Sequence, residues 1–466
     1  MRGEGDVVQP GWRRMVQRAI VLAMGIGSVA GVACAQGPDA RPPARRVMLS
    51  EALRIASEHN RFLKAASLKR RGAADQVTVA RAALLPRLDA IENYSYTDNP
   101  PLVFSNLLAQ QEFTAADFAL SRLNFPAALS NFQSQIMMSQ TLFAGGGLWA
   151  AFKAAGYQAD AEAWETSRVR QEMEFSVIQA YYRALLAEQE TEVIKRALAA
   201  AQAHRDQAQH MLKQGMVVSA DLLRSQVVVG ALQQQYTSAQ SLIEITRAQL
   251  SDTLGVDERL APQGAQMPRA LKSRDLADLK DTALKQRPEV KIAYDRVKAA
   301  EQGVKVARSG YLPTVSLATA YENDSQELVR AGNNYSVFVF ARFNLFNGAA
   351  TQAKVDAAQS ELERAVVLRA QLLQDIAVEV ERAYRTLEAA RENLSVAQRD
   401  RAYAADALRI LENRYAAGLA TNIDVLDAQA SLRSAESRSV RATVEVAVDF
   451  GVLDLAVGRA PSGVEQ

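Results

Sequence analysis

Apolar residues recur every seventh position along the second half of the chain, at Val366, Leu373, Val380, Leu387 and Leu394. Ile376, Ala383, Ala390 and Ala397 fill the seam between them. This spacing predicts coiled-coil helix, and the repeated alanines allow close helix approach. The helical pattern holds over 349–417, and an equivalent stretch covers 148–214. At about 1.5 Å per residue each would run on the order of 100 Å, far beyond the roughly 11–12 residues of an average globular helix. Gly215 and Gly418 break the two stretches. Shorter helices are expected to return over 219–254 and 421–457, the second capped by Thr421 or Asn422.

Elsewhere the period changes. One helix is expected over 49–83, with Ser50 as its cap and Leu85-Pro86 as its stop. Residues 88–96 and 136–143 then alternate as strands, and 314–321 and 335–346 do so in the second half. In the last of these both faces are apolar (Val337, Val339 and Phe343 on one, Phe338, Phe340 and Phe346 on the other), which leaves its orientation open. Gly215 and Gly418 are 203 positions apart (418 − 215), as are Asp221 and Asp424, Phe143 and Phe346, and Gly255 and Gly458. Such a fixed shift marks an internal repeat. Pro86 and Pro313 are 227 apart (313 − 86), so the first strand pair carries the longer loop, where insertions are cheap. The chain therefore divides into a first repeat over 49–255, a connector over 256–288, a second repeat over 289–458 and a tail over 459–466. The fold class expected is mainly α with a small β part.

The first residues change the picture of location. Arg13, Arg14 and Arg18 precede an apolar run ending in small residues, which reads as a secretory signal over 1–35, followed by a proline-containing linker over 36–48. Ala33-Cys34-Ala35 fits a cleavage site that would remove the cysteine. Gly31-Val32-Ala33-Cys34 is a partial lipobox that would lipidate it, and removal is the preferred reading. Cys34 is the only cysteine, so no disulfide within the chain is expected. The 54 Lys and Arg nearly balance 52 Asp and Glu, which argues against a nucleic-acid partner.

Little points to an enzyme, a cofactor or a metal. His59, His204 and His210 read as solvated helix residues, and the six-residue step between the last two puts them on different faces. Gly145-Gly146-Gly147 lacks the Lys-Ser/Thr of a phosphate loop and is expected to turn a strand into a helix. Asp424 and Asp427, at i and i+3, share one helix face. They suit either a charged constriction or, for Asp424, satisfaction of the backbone donors of a first helical turn. Four strands cannot close a barrel, for which about 8 is the minimum, so exported strands with open edges imply closure among identical chains.

The doubled layout, the Leu-Phe-x-Gly steps at 142–145 and 345–348, and Tyr415-Ala-Ala-Gly418…Asp424-Val-Leu-Asp427 with its partner Gly215…Asp221 resemble the TolC family of outer-membrane efflux ducts. The resemblance covers the chain from about Leu49 to Gly458. It implies a homotrimer whose strands, four per chain, close one transmembrane β-barrel in the outer membrane of a Gram-negative bacterium, continued by an α-helical barrel across the periplasm. It implies a constriction gate at Asp424 and Asp427 and a latch between Tyr415 and Asp221, with Ala420 where the family often has an arginine and Arg224 or Arg414 as substitutes. Gln214, Gly215 and Met216, with Ala417, Gly418 and Leu419, would dock a periplasmic adaptor coupled to an inner-membrane pump. The expected function is the exit duct for small molecules such as drugs, toxic compounds or metal ions. The alternatives are the duct of a type I protein secretion system, or a soluble periplasmic coiled-coil scaffold.

Overall fold

The computed structural model describes residues 44–264, 275–327 and 332–459. The expected signal with Cys34, most of the linker, part of the connector and nearly all of the tail lie outside the described residues. Arg45–Val47, within the expected linker, forms a short strand, β1. It is followed by α1 (Leu49–His59) and α2 (Arg61–Ala82). The single helix expected over 49–83 is thus two, because the Asn60 side chain accepts from the amides of Phe62 and Leu63 and starts the helix afresh.

Strand β2 (Arg87–Thr97) leads to β3 (Leu129–Ala144) through a connection that is itself folded. It holds α3 (Pro100–Ala109), a 3-10 turn at Ala115–Phe118 and α4 (Leu120–Asn124). Proline in the first turn of α3 loses no helical hydrogen bond. Phe113 stacks edge-on with Phe104 and Phe118, with ring centroids 5.0 Å apart in each pair.

Helices dominate the rest of the chain. After β3 come α5 (Gly147–Lys213) and α6 (Ser219–Leu254), then β4 (Leu260–Pro262), α7 (Leu276–Gln286) and α8 (Pro288–Ser309). Strands β5 (Thr314–Ser325) and β6 (Gly332–Arg342) precede α9 (Ala350–Ala416) and α10 (Asn422–Val457). α5 and α9 are both 67 residues long, and α6 and α10 both 36. β6 stops short of the expected Phe346, since its partner β5 begins only at Thr314, opposite Arg342, and Pro313 offers no N–H to extend the ladder.

The sheet runs β2-β3-β5-β6, antiparallel throughout, and leaves β2 and β6 as edges. Tyr335, Val337, Phe338, Val339 and Phe340 are exposed, so both faces of β6 are apolar and uncovered. The core lies instead at mid-length of the helices. On one side β1 and β4 pair in parallel over α5, where the fully buried Tyr181 accepts from the Gln263 amide (3.1 Å). Its hydroxyl lies within donating distance of the carbonyls of Val47 and Gly264. On the other, Leu279 and Ala283 of α7 pack on Ile376, Val380 and Leu387 of α9 and Leu453 of α10. Of the heptad seam, Ile376, Val380, Ala383, Leu387, Ala390 and Ala397 are buried and Leu394 half-buried, while Val366 is exposed.

One device recurs in both halves. Asn60, at the α1–α2 break, donates from its side chain to the carbonyl of Thr253 near the end of α6. Arg287, at the α7–α8 break, donates to the carbonyl of Ala456 near the end of α10. Gly255 and Gly458 then let each return helix end against that break: a Cβ would fall 2.7 Å from the carbonyl oxygen of His59 at the first and 2.9 Å from Arg287 Cα at the second. The helix pairs are locked at the middle and free to differ at their ends.

Candidate functional site

The two hairpin turns are built alike. Gly215 and Gly418 adopt φ of +74° and +73°, and the amide after each glycine returns to a carbonyl five residues back (Met216 to Met211, Leu419 to Arg414). Such a turn closes the last helical carbonyls and exposes its apex. Gln214, Gly215, Met216, Ala417, Gly418 and Leu419 are all exposed.

The first turn of the return helix differs between the hairpins. Asp221 and Asp424 both stand third in their helices. Thr421 precedes α10, and its amide and hydroxyl both donate to Asp424 Oδ2 (2.8 and 2.7 Å) while the Asp424 amide donates to Thr421 Oγ1. This reciprocal cap holds the Asp424 carboxyl below its ordinary value through the Thr421 hydrogen bonds, with a smaller contribution from Arg414. Val218 stands at the matching place before α6, has no hydroxyl, and leaves the Asp221 carboxylate without that role. Asp427, one turn past Asp424, lines a groove of about 940 Å³ between α5, α6, α9 and α10, together with Ala197, Val228 and Leu408 and with Arg196, Arg224 and Arg433. Both aspartates are exposed, but only Asp427 lines this groove.

Tyr415 is 3% exposed, and its hydroxyl has no hydrogen-bond partner. It packs with Leu408, Val425 and Ala428, against Ala420 and Met211. Burial first, and then the neighbouring Asp221 carboxylate, push its ionisation upward. The two residues of the expected latch are therefore neighbours that share no hydrogen bond in this conformation. Of the substitutes for the missing arginine, Arg414 acts on Asp424 and Arg224 lines the groove.

A buried polar contact between the hairpins joins residues that the sequence pattern does not pair. His204 Nε2 lies 2.6 Å from Asn422 Oδ1, and Asn422 Nδ2 donates to the Asp221 carbonyl at 3.1 Å. Ser225 Oγ sits 3.0 Å from the same carbonyl. His204, expected to be solvated, is 5% exposed instead. A signal for this exists in the chain: Leu198, Ala201, His204 and Ala208 fall on one buried stripe of α5, and a histidine on an apolar stripe must find a partner. His210 is exposed, as expected. Among the described residues no cluster of His, Cys, Asp or Glu could hold a metal ion, and no helix is long and apolar enough to cross a membrane.

The family model of the outer membrane efflux proteins matches residues 52–256 and 279–459. Protein CyaE of Bordetella pertussis is 30% identical over 66% of this chain and 66% of its own length. The pyoverdine export outer membrane protein OpmQ of Pseudomonas putida is 24% identical over 84% and 82%. A solved structure of CusC superposes with a TM-score of 0.77 at 20% identity, covering 89% of this chain and 94% of that one. The chain belongs to the outer membrane efflux protein family, a family of export channels rather than of enzymes.

Proposed function

We propose that three copies of this chain close a transmembrane β-barrel from their four-stranded sheets, continued by a periplasmic tunnel of helical hairpins, and that the assembly is the exit duct of a tripartite export system. The observation that carries this is the sheet itself. It has two unpaired edges and an uncovered apolar strand, β6, at the base of helices about 100 Å long. Unpaired edges do not survive in lipid, and closure by symmetry removes them. The two halves of the chain are read as an internal duplication, supported by the equal lengths of α5 and α9 and of α6 and α10. A periplasmic adaptor coupled to an inner-membrane pump docks at the exposed turns around Gly215 and Gly418. The cargo is small molecules, a reading supported by the naming of OpmQ for pyoverdine export and of CusC as a cation efflux protein.

At the tip, Asp427 supplies the carboxylate ring that faces the narrowest passage, and Asp424 adds a second ring while holding the first turn of α10 in place. Three like charges on one axis attract cations and bind divalent ones. Tyr415 and Asp221 remain the latch of the fully closed assembly. Recording from the detergent-extracted protein in planar bilayers tests the duct. Trimers giving small, cation-selective currents blocked by divalent cations are expected, and a monomeric species without conductance would discard it.

A further inference from the structure

Neither the gate nor the docking turns account for a cavity at the other end of the long helices, where α5 leaves the sheet. β3 ends at Ala144, opposite Thr314, the first residue of β5. Gly145 and Gly147 let the start of α5 close on the end of α8. A Cβ would fall 2.8 Å from Leu312 Cβ at the first and 2.3 Å from Ser309 Oγ at the second. Beside this contact lies a cavity of about 340 Å³, lined by Trp149 and Lys153 of α5 and by Gln302, Lys305 and Arg308 of α8. No carboxylate lines it, and among the described residues Lys153, Lys305 and Arg308 have no ion-pair partner. Gln302 is 6% exposed, and its side chain makes no hydrogen bond among the described residues. Buried amides seldom go unpaired, and this one can offer N–H donors to an acceptor in the cavity. The cavity also opens onto Gly146 and Ala150, which make the first hydrogen bond of α5. The amides of Gly147, Leu148 and Trp149 precede that bond and lack helical acceptors. The lining therefore suits an anion with several oxygens.

The surroundings say which anion. Trp149, Leu142, Phe143 and Leu312 are all exposed beside the cavity or at the strand end above it. In the barrel proposed above, the strands lie in the hydrocarbon and the start of α5 meets the headgroups that face the periplasm. Tryptophan favours that level, and cations just outside the hydrocarbon attract anionic lipid. A free phosphate would use the cations and Gln302 but leave the apolar border uncovered, whereas a phospholipid uses both. The second half of the chain lacks these features. At the positions 203 later, Gln352 replaces Trp149 (352 − 149) and Asp356 replaces Lys153 (356 − 153). There Gln352 donates to Asp356 Oδ1 at 2.8 Å and accepts from the Tyr311 hydroxyl at 2.6 Å, so those groups satisfy one another.

We infer that this cavity holds the headgroup of an anionic phospholipid of the periplasmic leaflet, one per chain. Lys153, Lys305 and Arg308 neutralise the phosphate, Gln302 donates to it, and the acyl chains run along the exposed apolar strand end. The inference rests on the barrel reading of the sheet. Native mass spectrometry of the detergent-extracted protein, titrated with phosphatidylglycerol or with zwitterionic phosphatidylcholine, tests it. Phosphatidylglycerol should bind the more tightly, and Lys305→Gln or Arg308→Gln should each weaken it about fivefold. Gln302→Leu should weaken it about fivefold too, without lowering the thermal unfolding midpoint, because the side chain has no partner to lose. Lys354→Gln removes an exposed cation of α9 outside the cavity and should change nothing. Cavity variants that bind like the parent, or an equal loss in Lys354→Gln, would overturn the site. Inorganic phosphate equimolar with the lipid should leave binding unchanged, and displacement would overturn the lipid as occupant in favour of a free anion. A parent that conducts in planar bilayers yet shows no preference for phosphatidylglycerol would overturn the site and leave the duct standing. A parent that does not enter bilayers would overturn the barrel reading and the lipid site with it.

Discussion

Asp424 caps the first turn of α10 and is also a member of the proposed gate. Its oxygen accepts two hydrogen bonds from Thr421, and those bonds favour the ionised form. A folded-state value below the ordinary 3.8 means that the cap contributes fully above that pH and is lost as pH falls through the lowered value. Hydrogen exchange at the Asp424 and Val425 amides should therefore accelerate only in strong acid. Thr421→Ala should accelerate it at neutral pH by about fivefold, the equivalent of losing about 1 kcal/mol of capping. Exchange in the variant that matches the parent would remove the cap from the account. Asp427 has no such local duty, so Asp427→Ala should relieve divalent block without loosening the start of α10. Asp424→Ala should do both, and the two readouts separate the roles that spacing alone left open.

At the scale of elements, four glycines with similar backbone angles have opposite sensitivities. A Cβ at Gly215 or Gly418 would meet nothing within 4 Å, whereas at Gly255 or Gly458 it would strike the backbone at the break between the neighbouring helices. Gly418→Ala should cost only the left-handed strain, about 1 kcal/mol. Gly458→Ala should cost about 3 kcal/mol, because overlap adds to strain. The thermal unfolding midpoint of the detergent-extracted protein checks both, and equal losses would refute the mid-length lock. Gly418→Trp should leave the proposed trimer intact yet disable export, since the exposed apex is the proposed docking surface for an adaptor. Ser50, expected to cap the first helix, lies inside α1, which begins at Leu49 after Met48. The long helices, their glycine turns and the cap at the start of α10, by contrast, were legible in the sequence because each depends on a few adjacent residues: a heptad, a glycine, a threonine. The break at Asn60 was not, because a single asparagine in a helical pattern announces itself as a cap only when Thr253 stands opposite to fix it. The link between His204 and Asn422 was hidden for the same reason, since it joins residues 218 apart.

The whole molecule is defined by what one chain leaves uncovered. Val337 and Val339 project from one face of β6, Phe338 and Phe340 from the other, and among the described residues no further strand pairs with it. At the opposite edge β2 carries Tyr94 and Tyr96, also exposed. A soluble scaffold would leave these edges open to aggregation, and a barrel wall would join them, β6 of one copy beside β2 of the next. The long helices repeat the message, since Val366, Val367 and Val378 of α9 are exposed on one chain and would be covered by neighbours in a tunnel. The prediction is a covalent one. Cysteines placed in pairs along the two edges, one between Arg87 and Thr97 and one between Gly332 and Arg342, in a chain with Cys34→Ser, should cross-link neighbouring copies under mild oxidation. The products should be dimers and trimers and nothing larger, as the proposed closure at three copies requires. Only pairs in the correct register should react, and the reactive pairs should advance by equal steps in opposite directions, as antiparallel strands require. A ladder extending past three would indicate open edge-to-edge association instead of a closed wall, and no product at any register would mean that the edges never meet.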